Sequence, residues 1–158
     1  MKLSQGVEWG VHCASLLALA GNARTLRRDT LARHYGVSET NLAKHLQAMA
    51  RAGVLQATPG PRGGYRLARP AGEITLLDVV EAVEGAARPF QCQEIRQRGA
   101  GAVPPEECAK PCGVHAAMDA ADDAWRASLR EVTIAGLVDR MPVRTRQRNE
   151  RLLAEEYV

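Results

Sequence analysis

The sequence lacks any long apolar run, and this absence excludes a membrane-spanning segment. The N-terminal stretch that comes closest is interrupted by Glu8 and His12, and it is shorter than the roughly 20 apolar residues that cross a bilayer. The sequence also lacks the pattern of a secretory signal peptide. We therefore expect a cytoplasmic protein with no membrane partner.

The sequence also has little excess charge and few cysteines. Its 21 Lys and Arg residues against 18 Asp and Glu give a net charge of +3, so any affinity for nucleic acid depends on where the bases lie. Three of its four cysteines lie between Cys92 and Cys112, which in a reducing compartment favours metal ligands or redox thiols over a disulfide framework. No nucleophile-base pair and no phosphate-binding loop is recognisable, which argues against an enzyme.

Apolar residues recur at helical spacing in the first half of the chain. They predict helices over residues 7–20, 26–35 and 39–52. Gly36 suits the turn between the second and third helices because it accepts a positive φ, and Ser38 offers an N-cap hydroxyl. This is the pattern of a helix-turn-helix.

A hairpin pattern follows the third helix. Two short predicted strands, residues 54–57 and 65–68, flank a loop of Gly, Pro and Arg, which is typical of a wing with a flexible basic tip. Thr75 is expected to cap a fourth helix that ends at Glu84. We therefore expect a mainly α-helical fold with a small β-hairpin wing, in which residues 1–85 form a winged helix-turn-helix domain.

The second half of the chain predicts a loop and a long helix. Residues 86–112 have no periodicity and contain three cysteines, so we expect a functional loop. A narrow apolar seam then recurs in steps of three and four, which predicts a long C-terminal dimerisation helix; with a short final helix capped by Thr133 it occupies residues 113–141. The seam residues are Met118, Ala121, Trp125, Leu129 and Val132. Residues 142–158 are expected to be a basic, frayed tail.

Polar and basic side chains cluster on the third helix and the wing. Such side chains at the start of a recognition helix reach base edges, and an Arg flanked by glycines can approach a phosphate or a minor groove. Each charge alone is typical of a solvated surface, but the complete motif favours binding to a double-stranded DNA operator. The candidate DNA-binding residues are Ser38, Thr40, Asn41, Lys44, His45 and Arg51 on the helix and Arg62 and Gly63 in the wing.

The cysteine loop and the first helix contain candidate metal ligands. The soft thiolates that an iron-sulfur cluster needs are those of Cys92, Cys108 and Cys112, and a 2Fe-2S cluster takes four protein ligands. Glu8 and His12 are spaced i, i+4 and share a helix face, either as ligands or as an ordinary surface pair. Cys13 has apolar neighbours and is expected to be a buried hydrophobe. His115 is a further candidate ligand, but its position on a helix favours a solvated or packed side chain.

The order of these motifs resembles the bacterial winged-helix regulators that include IscR, NsrR and RirA, many of which are iron-sulfur sensors. The resemblance extends from Met1 to Val138. Matching stretches include Leu42-x-Lys44-x-Leu46-x-x-Met49, Gly60-x-x-Gly63-Gly64-Tyr65 and Ile74-Thr75-Leu76-Leu77-Asp78. The resemblance implies a homodimer that binds a partly palindromic DNA site. The sequence departs from the family at Asn41, where an aromatic residue is usual.

Redox-sensing members of this family resemble the chain in further stretches, among them Val7-Glu8-Trp9, His12-Cys13 and Glu94-Ile95-Arg96-Gln97. This resemblance implies a 2Fe-2S cluster that bridges the dimer, with Glu8 and His12 from one subunit and two cysteines from the other. We favour Cys108 and Cys112, because helix N-terminal amides near Cys112 stabilise a thiolate; the alternative set uses all three loop cysteines with Glu8. Trp9 either transmits a redox change to the recognition helix or is a packing residue.

These inferences predict a DNA-binding repressor whose affinity for its operator changes with the redox state of the cluster. One alternative is a cluster-free repressor with a thiol-disulfide switch among the loop cysteines, and another is a structural zinc site on the same thiolates. An electron carrier is disfavoured, because half of the chain forms a DNA-binding module.

Overall fold

The computed structural model describes residues 2–60 and 63–155, and it is mainly helical with one β-hairpin. The helices are α1 (Gln5–Ala20), α2 (Arg28–Tyr35), α3 (Glu39–Arg51), α4 (Leu76–Glu84), α5 (Gly113–Arg130), α6 (Ile134–Asp139) and α7 (Val143–Glu155). The antiparallel strands are β1 (Leu55–Thr58) and β2 (Gly64–Leu67). The predicted fold class is confirmed.

The chain forms two compact units. The larger unit consists of Lys2–Ala86 and the chain from Leu129 onward, and the smaller unit is Ala87–Ser128. The smaller unit contains two short 3-10 turns, Ile95–Gln97 and Pro105–Cys108, and most of α5.

Helix α1 is the central element of the larger unit because it is apolar on most of its surface. It packs against α3, α4, α6 and α7. Leu16 and Leu17 are each only 1% exposed, and full burial of such a side chain contributes about 1.5–3 kcal/mol. The core therefore fixes α1 relative to the helix-turn-helix, which positions the candidate site described below.

The turn between α2 and α3 has the predicted conformation. Gly36 ends α2 with a φ of 64°, a left-handed conformation that glycine adopts without strain. The Ser38 hydroxyl accepts a hydrogen bond from the Asn41 amide at 3.4 Å, and the half-buried Val37 donates its amide to the Ala32 carbonyl at 3.0 Å. These local bonds set the angle at which α3 leaves α2.

The hairpin is the predicted wing, with Leu55 opposite Leu67 and Thr58 opposite Gly64. Leu26 and Tyr65 exchange backbone hydrogen bonds of 2.9 and 2.8 Å. Because Leu26 is held in this extended bridge, α2 begins two residues later than the periodicity predicted. The bridge attaches the start of the helix-turn-helix to the wing.

The predicted caps of two later helices are confirmed, and the predicted fraying of the basic tail is wrong. Thr75 and Asp78 form a capping box at α4, and Thr133 caps α6 by accepting from the Gly136 amide at 3.0 Å. Residues 143–155 are helical rather than frayed, because Leu153 packs into the core and is only 4% exposed. Helices in proteins draw most of their stability from such packing.

Helix α5 is long, as predicted, but it ends before the last seam residue. Val132 lies beyond its end, and the Val132 carbonyl accepts from the Leu76 amide at 2.7 Å. Met118 is 43% exposed.

No helix in residues 2–60 and 63–155 is long and apolar enough to cross a membrane.

Candidate functional site

The N-terminal half of α3 presents most of the predicted DNA-contacting side chains. Thr40, Asn41 and Lys44 are exposed and project from its first two turns, the part of a recognition helix that enters a groove. Arg51 is also exposed, but it lies at the other end of α3, about 18 Å along the axis at 1.5 Å per residue. Its position suits a phosphate rather than a base.

His45 lies differently from its neighbours on α3. Its half-buried imidazole packs edge-on against Trp9 of α1, with ring centroids 5.9 Å apart. Gly6 provides the room, since a Cβ there would overlap the His45 ring. Burial and the nearby Lys44 ammonium lower the pKa of His45, and Glu84 acts in the opposite direction. His45 is therefore one of the contacts between α3 and α1.

The structure describes one of the two predicted wing residues. Gly63 is half-buried, and its amide donates a hydrogen bond to the Gly60 carbonyl at 2.9 Å. Arg62 lies outside the described residues. Arg27 and Arg28 line a groove between the wing and the start of α2, so basic side chains flank the wing as well as α3.

Several arginines near the helix-turn-helix are paired within the chain. The pairs are Arg27 with Asp29, Arg28 with Glu39, and Arg69 with Asp78. Arg27 and Arg28 remain exposed, so phosphate can still reach them. Arg69 also donates to the Gly53 carbonyl at 3.1 Å and the Glu73 carbonyl at 3.2 Å; it joins the end of the wing to α4 and has a structural role.

The predicted ligand pair Glu8 and His12 lies on the exposed side of α1. The adjacent Cys13 is fully buried, as predicted, and burial raises the pKa of its thiol to about 12. The Tyr35 hydroxyl donates to the His12 carbonyl at 2.8 Å, and the two rings lie 5.5 Å apart. Since Tyr35 is the last residue of α2, it attaches the exposed side of α1 to the helix-turn-helix. Sequence reasoning missed Tyr35.

The three loop cysteines are free and half-buried in the smaller unit. The Sγ of Cys112 accepts from the His115 amide at 3.5 Å, in the position of an N-cap for α5. The Sγ of Cys92 accepts from the Glu94 amide at 3.4 Å. Cys108 ends the second 3-10 turn.

Arg96 joins the separate parts of this loop. It donates to the Glu94 carboxylate at 2.6 and 2.8 Å and to the Lys110 carbonyl at 3.1 Å. The hydrogen bond to Glu94 is the main cause of the raised pKa of Arg96, and the neighbouring Cys108 and Cys112 add to it. Glu94 has a φ of 48°, which is uncommon for a residue with a side chain. Arg96 therefore places a fixed positive charge beside two of the candidate ligands.

Helix α5 has a polar buried side and an uncovered apolar side. Asp122 and Arg126 form a buried pair at 2.7 Å, and His115 pairs with Asp119 at 3.3 Å, in agreement with the expected packed histidine. Val114 is 66% exposed. Within the part of the chain that the structure describes, no three His, Cys, Asp or Glu side chains form a group that would hold a metal ion.

A helix-turn-helix followed by a β-hairpin, with exposed polar residues at the start of the second helix, defines the class of winged-helix DNA-binding proteins. The chain belongs to the Rrf2 family, described as "Iron-dependent Transcriptional regulator", whose model matches residues 3–140. It is accordingly a DNA-binding transcriptional regulator and not an enzyme.

Comparison with individual proteins agrees with this assignment. The chain is 38% identical over 143 residues to protein aau3 of Rhizobium meliloti, covering 90% of this chain and 88% of that protein. Its fold is similar to that of CymR, the global cysteine regulator of B. subtilis, with 20% identity, a TM-score of 0.64 and coverage of 90% and 99%. The fold is also similar to that of T. potens IscR, with 19% identity, a TM-score of 0.58 and coverage of 90% and 93%.

Proposed function

We propose that this protein is a homodimeric cytoplasmic repressor similar to RsrR, a redox-sensing member of the same family, and that its affinity for a double-stranded DNA operator changes with the redox state of a 2Fe-2S cluster. One observation carries the proposal. The helix that bears Glu8 and His12 also places Trp9 against His45 on the recognition helix, at a ring distance of 5.9 Å. A change at the ligand residues thus has a short route to the DNA-contacting surface.

The chemistry of the available donors fits such a cluster. Glu8 and His12 of one subunit would hold it together with Cys108 and Cys112 of the partner subunit, and Cys92 is the alternative thiolate. Thiolate and imidazole both ligate 2Fe-2S clusters, and amide donors tune the sulfurs. When bound, the group supplies a one-electron change, and oxygen and nitrogen ligands raise its potential above that of an all-cysteine site.

The residues of the chain itself would transmit the change. Trp9 follows Glu8 directly, so a shift of this turn of α1 turns the indole against His45 and displaces α3. Tyr35 ties His12 to the end of α2 through its 2.8 Å hydrogen bond, so α2 moves with the same turn. Both helices of the DNA-binding motif therefore respond to the ligand face of α1.

Each segment has its own role in this proposal. Residues 1–85 bind the operator, residues 86–112 supply the cysteines, residues 113–141 form the dimer, and residues 142–158 follow as a basic segment. The uncovered apolar side of α5 supports dimerisation, because exposed apolar surface at helical spacing gains free energy when a second copy covers it.

The proposal is tested on anaerobically purified protein by absorbance and Mössbauer spectroscopy. The operator affinities of the oxidised and reduced forms are then measured at one salt concentration. We expect the spectra of a 2Fe-2S cluster and affinities that differ by about 5- to 150-fold, the usual range for coupled sites. Equal affinities of the two forms would rule out the switch.

Variants test the ligand set. Glu8→Ala, His12→Ala, Cys108→Ser and Cys112→Ser should each change or abolish the spectra, whereas the control His115→Ala should retain them, since that histidine is paired with Asp119. Wild-type spectra in both α1 variants would contradict the cross-subunit arrangement.

A second candidate is a cluster-free repressor that responds through its thiols. It is favoured by the three free, half-buried cysteines in one loop and by the similar fold of S. aureus CymR, solved in an oxidised form with 22% identity and a TM-score of 0.63. Colourless anaerobic protein that loses two hydrogens per disulfide on oxidation, measured by mass spectrometry, would support it. Bound zinc and redox-insensitive DNA binding would instead indicate a structural metal site.

A further inference from the structure

We propose that α7 forms a second DNA-binding surface, on which Arg144 and Arg148 bind phosphates of the DNA backbone beside the helix-turn-helix. The inference rests on the proposed function, because it assumes that α3 contacts DNA. It assigns a role to a segment that composition alone marks only as basic.

The arginines of α7 lie on a helix that is docked on the hydrophobic core. Leu153 is 4% exposed and belongs to the main hydrophobic core, and α7 packs on α1. Side chains on a docked helix lose less conformational freedom on binding than those of a frayed tail. The arginines of α7 are therefore better placed to bind a ligand than the same residues in a flexible segment.

A groove lies between α2 and the first half of α7. Its lining side chains include His34, Tyr35, Arg144, Thr145, Arg148 and Asn149. Arg144 and Arg148 are four residues apart, so their guanidinium groups lie on one side of the helix. Guanidinium, hydroxyl and amide donors are the groups that bind phosphate oxygens. The groove thus has the chemistry of a phosphate-binding surface.

The two guanidinium groups of this groove are not neutralised. Arg146, which does not line the groove, is paired with Glu150 at 3.1 Å. Within residues 2–60 and 63–155, neither Arg144 nor Arg148 forms an ion pair. Both are exposed. Burial lowers the pKa of His34, a hydrogen bond with Asn149 acts in the opposite direction, and the charge of Arg148 lowers the pKa further.

The groove begins close to the start of the recognition helix, and this position favours the DNA backbone as its anion. His34 and Tyr35 are the last two residues of α2, and Ser38, the cap of α3, follows Tyr35 by three residues. Three residues span at most about 11 Å. The N-terminal residues of a recognition helix contact base edges in the groove of DNA, so we infer that the anion bound in the α2–α7 groove is a phosphate that flanks this site.

The test compares wild-type protein with the double variant Arg144→Gln, Arg148→Gln, both purified anaerobically as full chains. Dissociation constants are measured for an operator duplex and an unrelated duplex across a range of salt concentrations. Because binding to phosphate carries no sequence information, we expect both duplexes to bind more weakly by a similar factor, on the order of tenfold. The slope of log K against log salt should shrink by about 0.9 for each phosphate that is no longer bound, or about 1.8 in total.

The matched control is Arg146→Gln, Arg151→Gln, which removes the same two charges from α7 outside the groove. Equal losses in the two double variants would overturn the inference, since net charge alone would explain them. Loss of inorganic phosphate binding in the Arg144, Arg148 variant with an unchanged DNA salt slope would also overturn it and assign the groove to a small anion. If wild-type protein binds no duplex, the proposed function fails as well; if it binds and only the slope prediction fails, the inference alone is wrong.

Discussion

The larger and smaller units are stabilised by different interactions. In the larger unit, apolar side chains such as Leu16 and Leu42 are almost completely removed from water. In the smaller unit, no apolar side chain among the described residues is buried; Asp122 and Arg126 are buried instead, and Arg96 joins the loop segments. Apolar burial sums over many residues, whereas a few directed bonds hold the loop. We infer that the larger unit unfolds cooperatively and that the loop opens locally.

The largest expected effect tests the apolar side of this comparison. Leu16→Ala should lower the free energy of unfolding by about 2–5 kcal/mol, because it removes a fully buried side chain and leaves a cavity. Urea unfolding followed by circular dichroism measures it. The control Leu152→Ala, at a side chain that is 41% exposed, should cost less than about 0.5 kcal/mol. Similar losses in the two variants would refute the central role of α1.

A smaller and local effect tests the polar side of the comparison. Arg96→Gln should speed amide hydrogen exchange across residues 92–110 and leave exchange in α1 and α3 unchanged, because it removes the bonds to Glu94 and Lys110. Arg96→Lys is the matched control, since it keeps the charge without the planar fork. Unchanged exchange in Arg96→Gln would show that the loop is ordered by something else.

The smallest expected effect is a pH dependence of stability in the larger unit, where His45 is a half-buried titratable group. Because burial lowers the pKa of His45, the unfolded chain binds more protons than the folded chain as pH falls below 6.5, so stability decreases in that range. We expect urea unfolding at pH 7 and pH 5.5 to show this decrease, reduced in His45→Gln. The two charged groups that face the ring act in opposite directions, since Lys44 lowers the pKa of His45 and Glu84 raises it. A decrease that is identical in the variant would assign it to other groups, such as His34.

The caps and turns of the fold could be predicted from the sequence because their signals are local. Ser38, Thr75 and Thr133 each cap the helix that their spacing indicated. Gly36 adopts the positive φ that the helix-turn-helix requires. Such signals depend on bonds between residues three or four apart, so one stretch of sequence contains both partners.

Contacts between distant segments could not be predicted in the same way. Helix α7 has an arginine-rich sequence, and only its packing through Leu153 makes it a docked helix. Tyr35 meets His12 across 23 residues, and no periodicity marks that pair. His45 has the spacing of an outward-facing residue but packs on α1. The candidate ligands on α1 were visible only through their i, i+4 spacing and the family resemblance.

The close approach of Gly6 to the His45 ring makes position 6 a point at which evolution or protein engineering can adjust the regulator. A single methyl group there would overlap the imidazole, so the His45 side chain would have to shift, while every proposed ligand and every exposed side chain of α3 keeps its identity. Libraries that vary this one residue would therefore sample different contacts between α1 and His45, while the side chains that recognise DNA stay the same.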